Sequence, residues 1–392
     1  MTQVKGSEGK PLSPERRSQQ FEATEYDAHQ EKQRWRNWTL NDVPFYKGKG
    51  QSLEQNPFDW HHFDYLNYYD QVYGRKCGAG GIGKLREVAL VVVSEDDDYT
   101  NHPYFKDDPA YMSRLGFQHT KGVDVERLRQ QQEAYAEVLK QNGVSVYWVK
   151  FPHRAMGAFG PMTNRTAAAS LMIIPGGSII PKKPYSLSPT SGFGQAEYLG
   201  RWAFWNLSIP PLLTIMGKGT WGPGVFLADD IYCQAMSIET DDEGMRQVEP
   251  VLRRQCGEHL HIQRIYTPDH QYFDPATGIG ARADMIIAPL DLRTVLVHSP
   301  GVDVDTVKWL WDSGYKVIEA NVDERMALPC SSILLEPGHV IMPANAPKTI
   351  AAVGRAGIQV TAVEYNDHDA IGMGIRSATM QILRDNGPRR FS

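Results

Sequence analysis

Cysteine is scarce in this chain. Four residues, Cys77, Cys233, Cys256 and Cys330, are spread over 392 positions, and none stand at C-x-x-C spacing. A disulfide scaffold and a zinc site are both excluded on that count, and the four read as reduced, mostly buried thiols. Long apolar runs are missing too. The longest, Val88–Val93 and Leu171–Ile174, are strand-sized, well short of the ~20 residues that a membrane helix needs. There is no excess of positive charge: 41 basic residues face 46 acidic ones, for a net charge of -5. That balance speaks against a nucleic-acid binder, which carries a basic stripe. The histidines form no metal-binding cluster, since His259-x-His261 reads as the flank of a strand. No metal and no organic cofactor is expected. The segment MTQVKGSEGKPLSPERRSQQ has no apolar centre, which argues against a secretory signal and for a cytoplasmic protein.

What is present organises the chain into three parts. Residues 1–35 are polar and rich in Gln, Glu and Arg, and read as a flexible arm. Residues 36–83 form an aromatic-rich extension that includes Trp38, Phe45, Trp60 and Tyr65. So many aromatics are expected to drape over the main domain or to form a homo-oligomer interface. Residues 84–392 read as one α/β domain built from a recurring cassette. In each copy a helix ends near a small residue and a strand starts at once. The copies are Val123–Gln141 with Val144–Val149, Glu197–Asn206 with Ile209–Met216, Glu243–Gln255 with His261–Tyr266, Thr306–Ser313 with Tyr315–Ala320, and Lys348–Ala356 with Ile358–Val363. Gly143, Gly314 and Gly357 sit where a left-handed helix cap is expected. Further strands are expected at Leu85–Val93, Ser178–Ile180, Ile231–Met236, Met285–Ala288, Val295–His298, Ser332–Leu335 and His339–Met342, the last two joined by a turn at Glu336-Pro337-Gly338. Recurrence at 50–60-residue intervals predicts repeated αβ units, each too small to close its own core.

Few segments carry chemistry. The glycine run Gly78–Gly83 precedes a strand instead of joining a strand to a helix, which excludes a phosphate-binding loop. Asp229-Asp230 abuts the strand Ile231–Met236, and Asp230 is a candidate to face a site. Two stretches are more informative. In Thr277–Asp284, Arg282 and Asp284 lie two apart, on one face of an extended segment. In Gly372–Arg384, a glycine turn carries Arg376 and Ser377 into a final alternating strand, a setting that suits a small nucleophile. Cys330 reads as core packing, or as a replacement nucleophile if it faces the pocket.

With these two stretches the chain resembles the guanidine-modifying, or pentein, superfamily of arginine deiminases, dimethylargininases and amidinotransferases, above all its 2-nitroimidazole nitrohydrolase branch. The resemblance extends over Trp38–Tyr46, Gly81–Leu90, Gly160-Pro161, Glu197–Pro211, Leu334–Ile341 and Met380–Ile382. It implies a propeller of five αβ units around a pseudo-fivefold axis. It also implies that Ser377 stands where the family has its nucleophilic cysteine, that Arg282 replaces the histidine of a His-x-Asp pair, and that Asp284 is retained. Gly222 takes the place of a family acid. The family's substrate-contacting Arg-Asp pair is not evident at Asn164-Arg165.

Ser377, Asp284 and Arg282 are thus the candidate catalytic residues. Arg376, Asn164, Arg165, Gly374 and Asp230 are the candidate substrate contacts. A serine is a weaker nucleophile than a thiolate, and Arg282 cannot act as a base. Clustered arginines prefer planar oxyanions or nitro groups. The expected function is a hydrolase that displaces amine, ammonia or nitrite from an sp² carbon of a small planar, anionic or nitro-bearing molecule, with water or Ser377 attacking. One alternative is a remodelled relative that performs an elimination, a ring opening or a group transfer. The other is an inactive or repurposed pentein that only binds.

Overall fold

A computed structural model describes residues 76–93, 124–150, 171–182, 193–237, 239–267, 282–366 and 374–391. The aromatic extension up to residue 75, Asn164 and Arg165 lie outside the described residues. Five three-stranded sheets account for all the strands of the described residues. The first contains β1 (Leu85–Val91), α1 (Val125–Gln141) and β2 (Ser145–Val149). The second contains β3 (Met172–Ile174), β4 (Gly177–Ile180), α2 (Phe193–Leu207) and β5 (Pro211–Thr214). The third contains β6 (Val225–Ala228), β7 (Ile231–Met236), α3 (Asp242–Cys256) and β8 (His261–Tyr266). The fourth contains α4 (Ala283–Ile286), β9 (Ile287–Pro289), β10 (Thr294–Val297), α5 (Val304–Asp312) and β11 (Lys316–Glu319). The fifth contains β12 (Ile333–Glu336), β13 (His339–Pro343), α6 (Pro347–Arg355) and β14 (Gln359–Val363). The last strand, β15 (Met380–Arg384), returns to β1.

Every sheet has the same wiring. An antiparallel pair is followed by a helical crossover to a parallel third strand. Parallel neighbours need such a crossover, which is why a helix recurs in each unit. The apolar residues gather in five clusters, and each cluster joins two adjacent units. They lie between the fifth and first, first and second, second and third, third and fourth, and fourth and fifth. These seams close a ring, so the core lies between blades, as expected for units too small to bury their own faces. The pairing of β15 with β1 brings the end of the described chain back to the first blade.

The glycine caps fall where the sequence places them. Gly143, Gly314 and Gly357 take φ of +77°, +73° and +88°. In the second unit, which lacks a glycine there, Ser208 adopts φ +54°. The glycine run upstream of β1 is woven into the ring ahead of residue 84. Ile82 is fully buried, and a Cβ on Gly81 would lie 2.0 Å from Asp229 Oδ1. One expected strand is corrected: Met285 and Ile286 belong to the short helix α4, and β9 starts only at Ile287. Antiparallel pairing with β10 begins there, at Ile287 opposite Val297.

Candidate active site

The turn before β15 brings Arg376 and Ser377 to the middle of the ring. Its geometry depends on close backbone approach. A Cβ on Gly374 would stand 2.3 Å from the Cβ and Oγ of Ser331, so glycine is required there on steric grounds. Arg376 N donates to Ser331 O at 2.9 Å, and Ala378 N to Gly374 O at 3.0 Å. These bonds pin the turn against the segment that leads into β12.

On the other side, Arg282 caps α4 with extended backbone and Asp284 lies in the first helical turn. The two side chains converge through this turn, not through strand alternation. Arg282 Nε is 3.4 Å from Asp284 Oδ1. Ser377 sits between them. Its Oγ accepts from Arg282 Nη2 at 2.6 Å, and its hydroxyl donates to Asp284 Oδ2 at 2.9 Å. Ser331 Oγ is a more distant neighbour at 3.4 Å. Asp284 Oδ1 is buried with no hydrogen-bond partner among the described residues. The ion pair at 3.4 Å holds it only by charge.

A cavity of about 50 Å³ opens next to this trio. Its walls include Arg282, Asp284, Arg376, Pro223, Gly224 and Gln381. By the usual allowance for a bound water, this is room for roughly three to five waters. Ser377 is fully buried and is not among the residues that form the wall. It stands behind Arg282 and Asp284, which do reach the cavity. Arg376 faces the same space. Burial lowers its guanidinium below the ordinary arginine value, against the opposing charge of Asp284. The charged groups of the wall are therefore two guanidiniums and one carboxylate.

The remaining candidates fall elsewhere. Asp230 does not reach the cavity. Its oxygens accept from the backbone amides of Arg390 at 2.8 Å and Phe391 at 2.7 Å. Its neighbour Asp229 accepts from Ile82 N at 3.1 Å and Gly387 N at 2.6 Å. The acid pair thus anchors the C-terminal segment, and the expectation that Asp230 contacts substrate is corrected. Gly374 shapes the turn and is not part of the wall. Cys330 is packed in the core between the fourth and fifth blades, with its thiol towards Leu296 O and its pKa pushed up by burial. It does not line the cavity, so it does not replace the nucleophile.

Sequence reasoning missed Gln381, Thr379 and Ser331. Gln381 had a signal, because it is a polar residue inside the otherwise apolar start of β15. Thr379 has its hydroxyl taken up by Tyr135 at 2.8 Å and Ile375 O at 2.7 Å.

No protein-family model matches the chain. It is 31% identical over 359 residues to a 2-nitroimidazole nitrohydrolase of Mycobacterium sp. (strain JS330), covering 90% of this chain and 93% of that protein. Among solved structures, a DDAH from Pseudomonas aeruginosa complexed with citrulline superposes with a TM-score of 0.56 and 17% identity, over 76% of this chain and 99% of that one. The N-terminal domain of ArgZ, a cyanobacterial arginine dihydrolase, gives a TM-score of 0.56 and 12% identity, over 77% and 99% of the two chains. SxtG, an amidinotransferase from Microseira wollei, gives a TM-score of 0.54 and 15% identity, over 80% and 99%. The closed ring of five identically wired blades is the fold of these structures, and with the identity to the nitrohydrolase it places the chain in the guanidine-modifying pentein superfamily, in the family of the 2-nitroimidazole nitrohydrolase.

Proposed function

We propose that this protein is a C–N bond hydrolase that displaces nitrite, ammonia or an amine from an sp² carbon of a small planar substrate, with water as the attacking nucleophile. Family membership supports the hydrolase part of the reading. One observation carries the rest: Asp284 lines the cavity and keeps one carboxylate oxygen without a hydrogen-bond partner among the described residues, while Ser377 is fully buried and is not part of the wall.

A water held in the cavity beside the Asp284 carboxylate attacks the substrate carbon. The new C–O bond forms, the C–N bond breaks, and the water proton passes to Asp284. The nitrogen group leaves as nitrite, or as an amine after it takes up that proton. Ser377 acts as a positioning residue. Its hydroxyl proton points at Asp284 Oδ2 and its oxygen receives Arg282. The first interaction holds the carboxylate, and the second ties the serine oxygen to Arg282. Arg282 and Arg376 stabilise the negative charge that develops on the leaving group. Pro223 and Gly224, next to the Gly222 that the resemblance sets in place of a family acid, bring no charge to the wall. The two guanidiniums outnumber the one carboxylate of the wall, which favours a nitro group or a carboxylate over a guanidinium.

The binding-only alternative expects a cavity plugged by large apolar side chains. The charged wall supports the enzyme instead. The test is nitrite and ammonia release from 2-nitroimidazole, planar nitro and amino heterocyclic acids, arginine and dimethylarginine, with wild type and Ser377→Ala side by side. Release from the nitro or acidic compounds, slowed in Ser377→Ala by about 10- to 100-fold but still present, is expected for a positioning role. A covalent adduct on Ser377 detected by mass spectrometry, with a variant as silent as Asp284→Asn, would overturn water attack. Release from arginine alone would overturn the substrate class.

A further inference from the structure

Gln381 and Arg384 give the cavity a second feature. Arg384 is buried at 7% exposure and donates to Gly83 O at 2.7 Å, Leu334 O at 2.6 Å and Gln381 Oε1 at 2.8 Å. A guanidinium has only donors, so the Gln381 atom that faces it has to be the amide oxygen. The orientation of this amide is thereby fixed, and its remaining polar capacity is the NH₂ group. Gln381 is part of the cavity wall, and its NH₂ has no partner among the described residues. Arg376 lines the same wall, and its guanidinium likewise has no hydrogen-bond or ion-pair partner among them. Arg384 has no carboxylate within ion-pair distance among the described residues, and the charge of Arg376 acts on it across this end of the cavity. The one carboxylate in the wall, Asp284, is engaged by Arg282 and Ser377.

The Arg376 guanidinium and the Gln381 NH₂ are thus donors of half-buried side chains in the cavity wall, with no acceptor from the described residues. A ligand with two coplanar oxygens satisfies them together, one oxygen on Arg376 and the other on the Gln381 NH₂. We infer that Arg376 and Gln381 form a planar-oxyanion subsite, with Arg384 as the residue that turns the Gln381 amide, and that this subsite takes the nitro or carboxylate group of the substrate. The inference rests on the hydrolase reading only for the identity of that substrate. The subsite itself is a binding property and is tested without turnover.

Calorimetry and thermal unfolding on the full chain would compare nitrate and acetate with methylguanidinium, each titrated at constant ionic strength. Wild type is expected to bind and be stabilised by the two oxyanions and to bind methylguanidinium at least about tenfold more weakly. Gln381→Glu keeps an acceptor for Arg384 but removes the donors and adds negative charge. Its nitrate affinity is expected to fall by about tenfold or more, and its preference for methylguanidinium to rise. Arg376→Met is expected to lose nitrate binding, and Arg376→Lys to retain a weakened share, since lysine keeps the charge but not the fork. Unfolding curves of the free variants show whether each one folds. Equal binding of nitrate and methylguanidinium by wild type, or a nitrate affinity in Gln381→Glu within twofold of wild type, would overturn the subsite. The release assay run on the same preparations separates the two ideas. Selective oxyanion binding without any turnover leaves the subsite standing and removes the hydrolase reading. Turnover with no oxyanion preference does the reverse.

Discussion

Buried charges at two places in this ring are treated in opposite ways. At the C-terminal clamp, the carboxylates of Asp229 and Asp230 receive four backbone amides, from Ile82, Gly387, Arg390 and Phe391. At the active site, Asp284 takes one hydroxyl on Oδ2 and leaves Oδ1 without a hydrogen bond among the described residues. The arginines divide in the same way. Arg384 is spent on Gln381 Oε1, Gly83 O and Leu334 O, whereas Arg376, in the cavity wall, has no hydrogen-bond partner among the described residues. A charge whose valences are filled by the chain holds the fold together. A charge left open beside a cavity is held for a ligand, and the fold carries its desolvation cost.

The comparison breaks most visibly at Asp284. Asp284→Asn keeps the shape and an acceptor for Ser377 but removes the base. Turnover is expected to fall by about a thousandfold or more, equivalent to about 4 kcal/mol of barrier. Initial rates of nitrite or ammonia release measure the loss. A variant that retains a tenth of the wild-type rate would leave Asp284 without the role of base.

Asp230→Ala is the mirror experiment. It strips two backbone amides of their charged acceptor, which is expected to reduce stability by about 2–3 kcal/mol. Turnover per folded molecule is expected to stay within about twofold, because the carboxylate does not reach the cavity. Denaturant unfolding read beside kcat/KM separates the two effects. A large loss of kcat/KM in a fully folded variant would return Asp230 to the site.

A smaller effect is expected at His298, which is 6% exposed and whose pKa burial lowers below its ordinary 6.5. Nearby Arg325 lowers it further, and Glu319 opposes them. The folded protein therefore binds this proton less readily than the unfolded chain does. Stability from the neutral ring is fully present above about pH 6.5 and is lost as pH falls from there through the folded value. His298→Gln is expected to flatten the stability profile over that window. An unchanged slope between pH 7 and 5 would assign the acid sensitivity to other groups.

The blade pattern was legible in the sequence because each unit repeats a local rule. Apolar helix faces, glycine caps and short β-branched strands need no distant partner to be read. The two stretches that hold Arg282, Asp284 and Ser377 stood out from their own residues, but that they belong to one site was legible only through the family resemblance, since residues 282 and 377 lie 95 positions apart. Asp230 misled because a doublet beside a strand does not reveal what its oxygens meet. Its partners are backbone amides 160 and 161 positions away, which leave no side-chain signature. Gln381 was passed over for the opposite reason: its value comes from Arg384, which fixes its amide, and an isolated polar residue in a strand looks like a solvated face.

The smallest effect belongs to the one cap that departs from the glycine rule. Ser208 adopts φ +54° where three other units place glycine. A left-handed non-glycine residue costs about 1–2 kcal/mol. Ser208→Gly removes this strain but also frees the unfolded chain, a loss of about 0.4–1 kcal/mol. The net gain is therefore expected to lie between about 0 and 1.6 kcal/mol, a small shift in thermal unfolding. The reciprocal substitution sharpens the argument. At Gly357, with φ +88°, a Cβ meets nothing within 4 Å. Gly357→Ser thus isolates the backbone term from packing, and it is expected to reduce stability by about 1 kcal/mol. A neutral Gly357→Ser would mean that the helix caps relax at no cost, and that the recurring glycine serves something other than the left-handed turn.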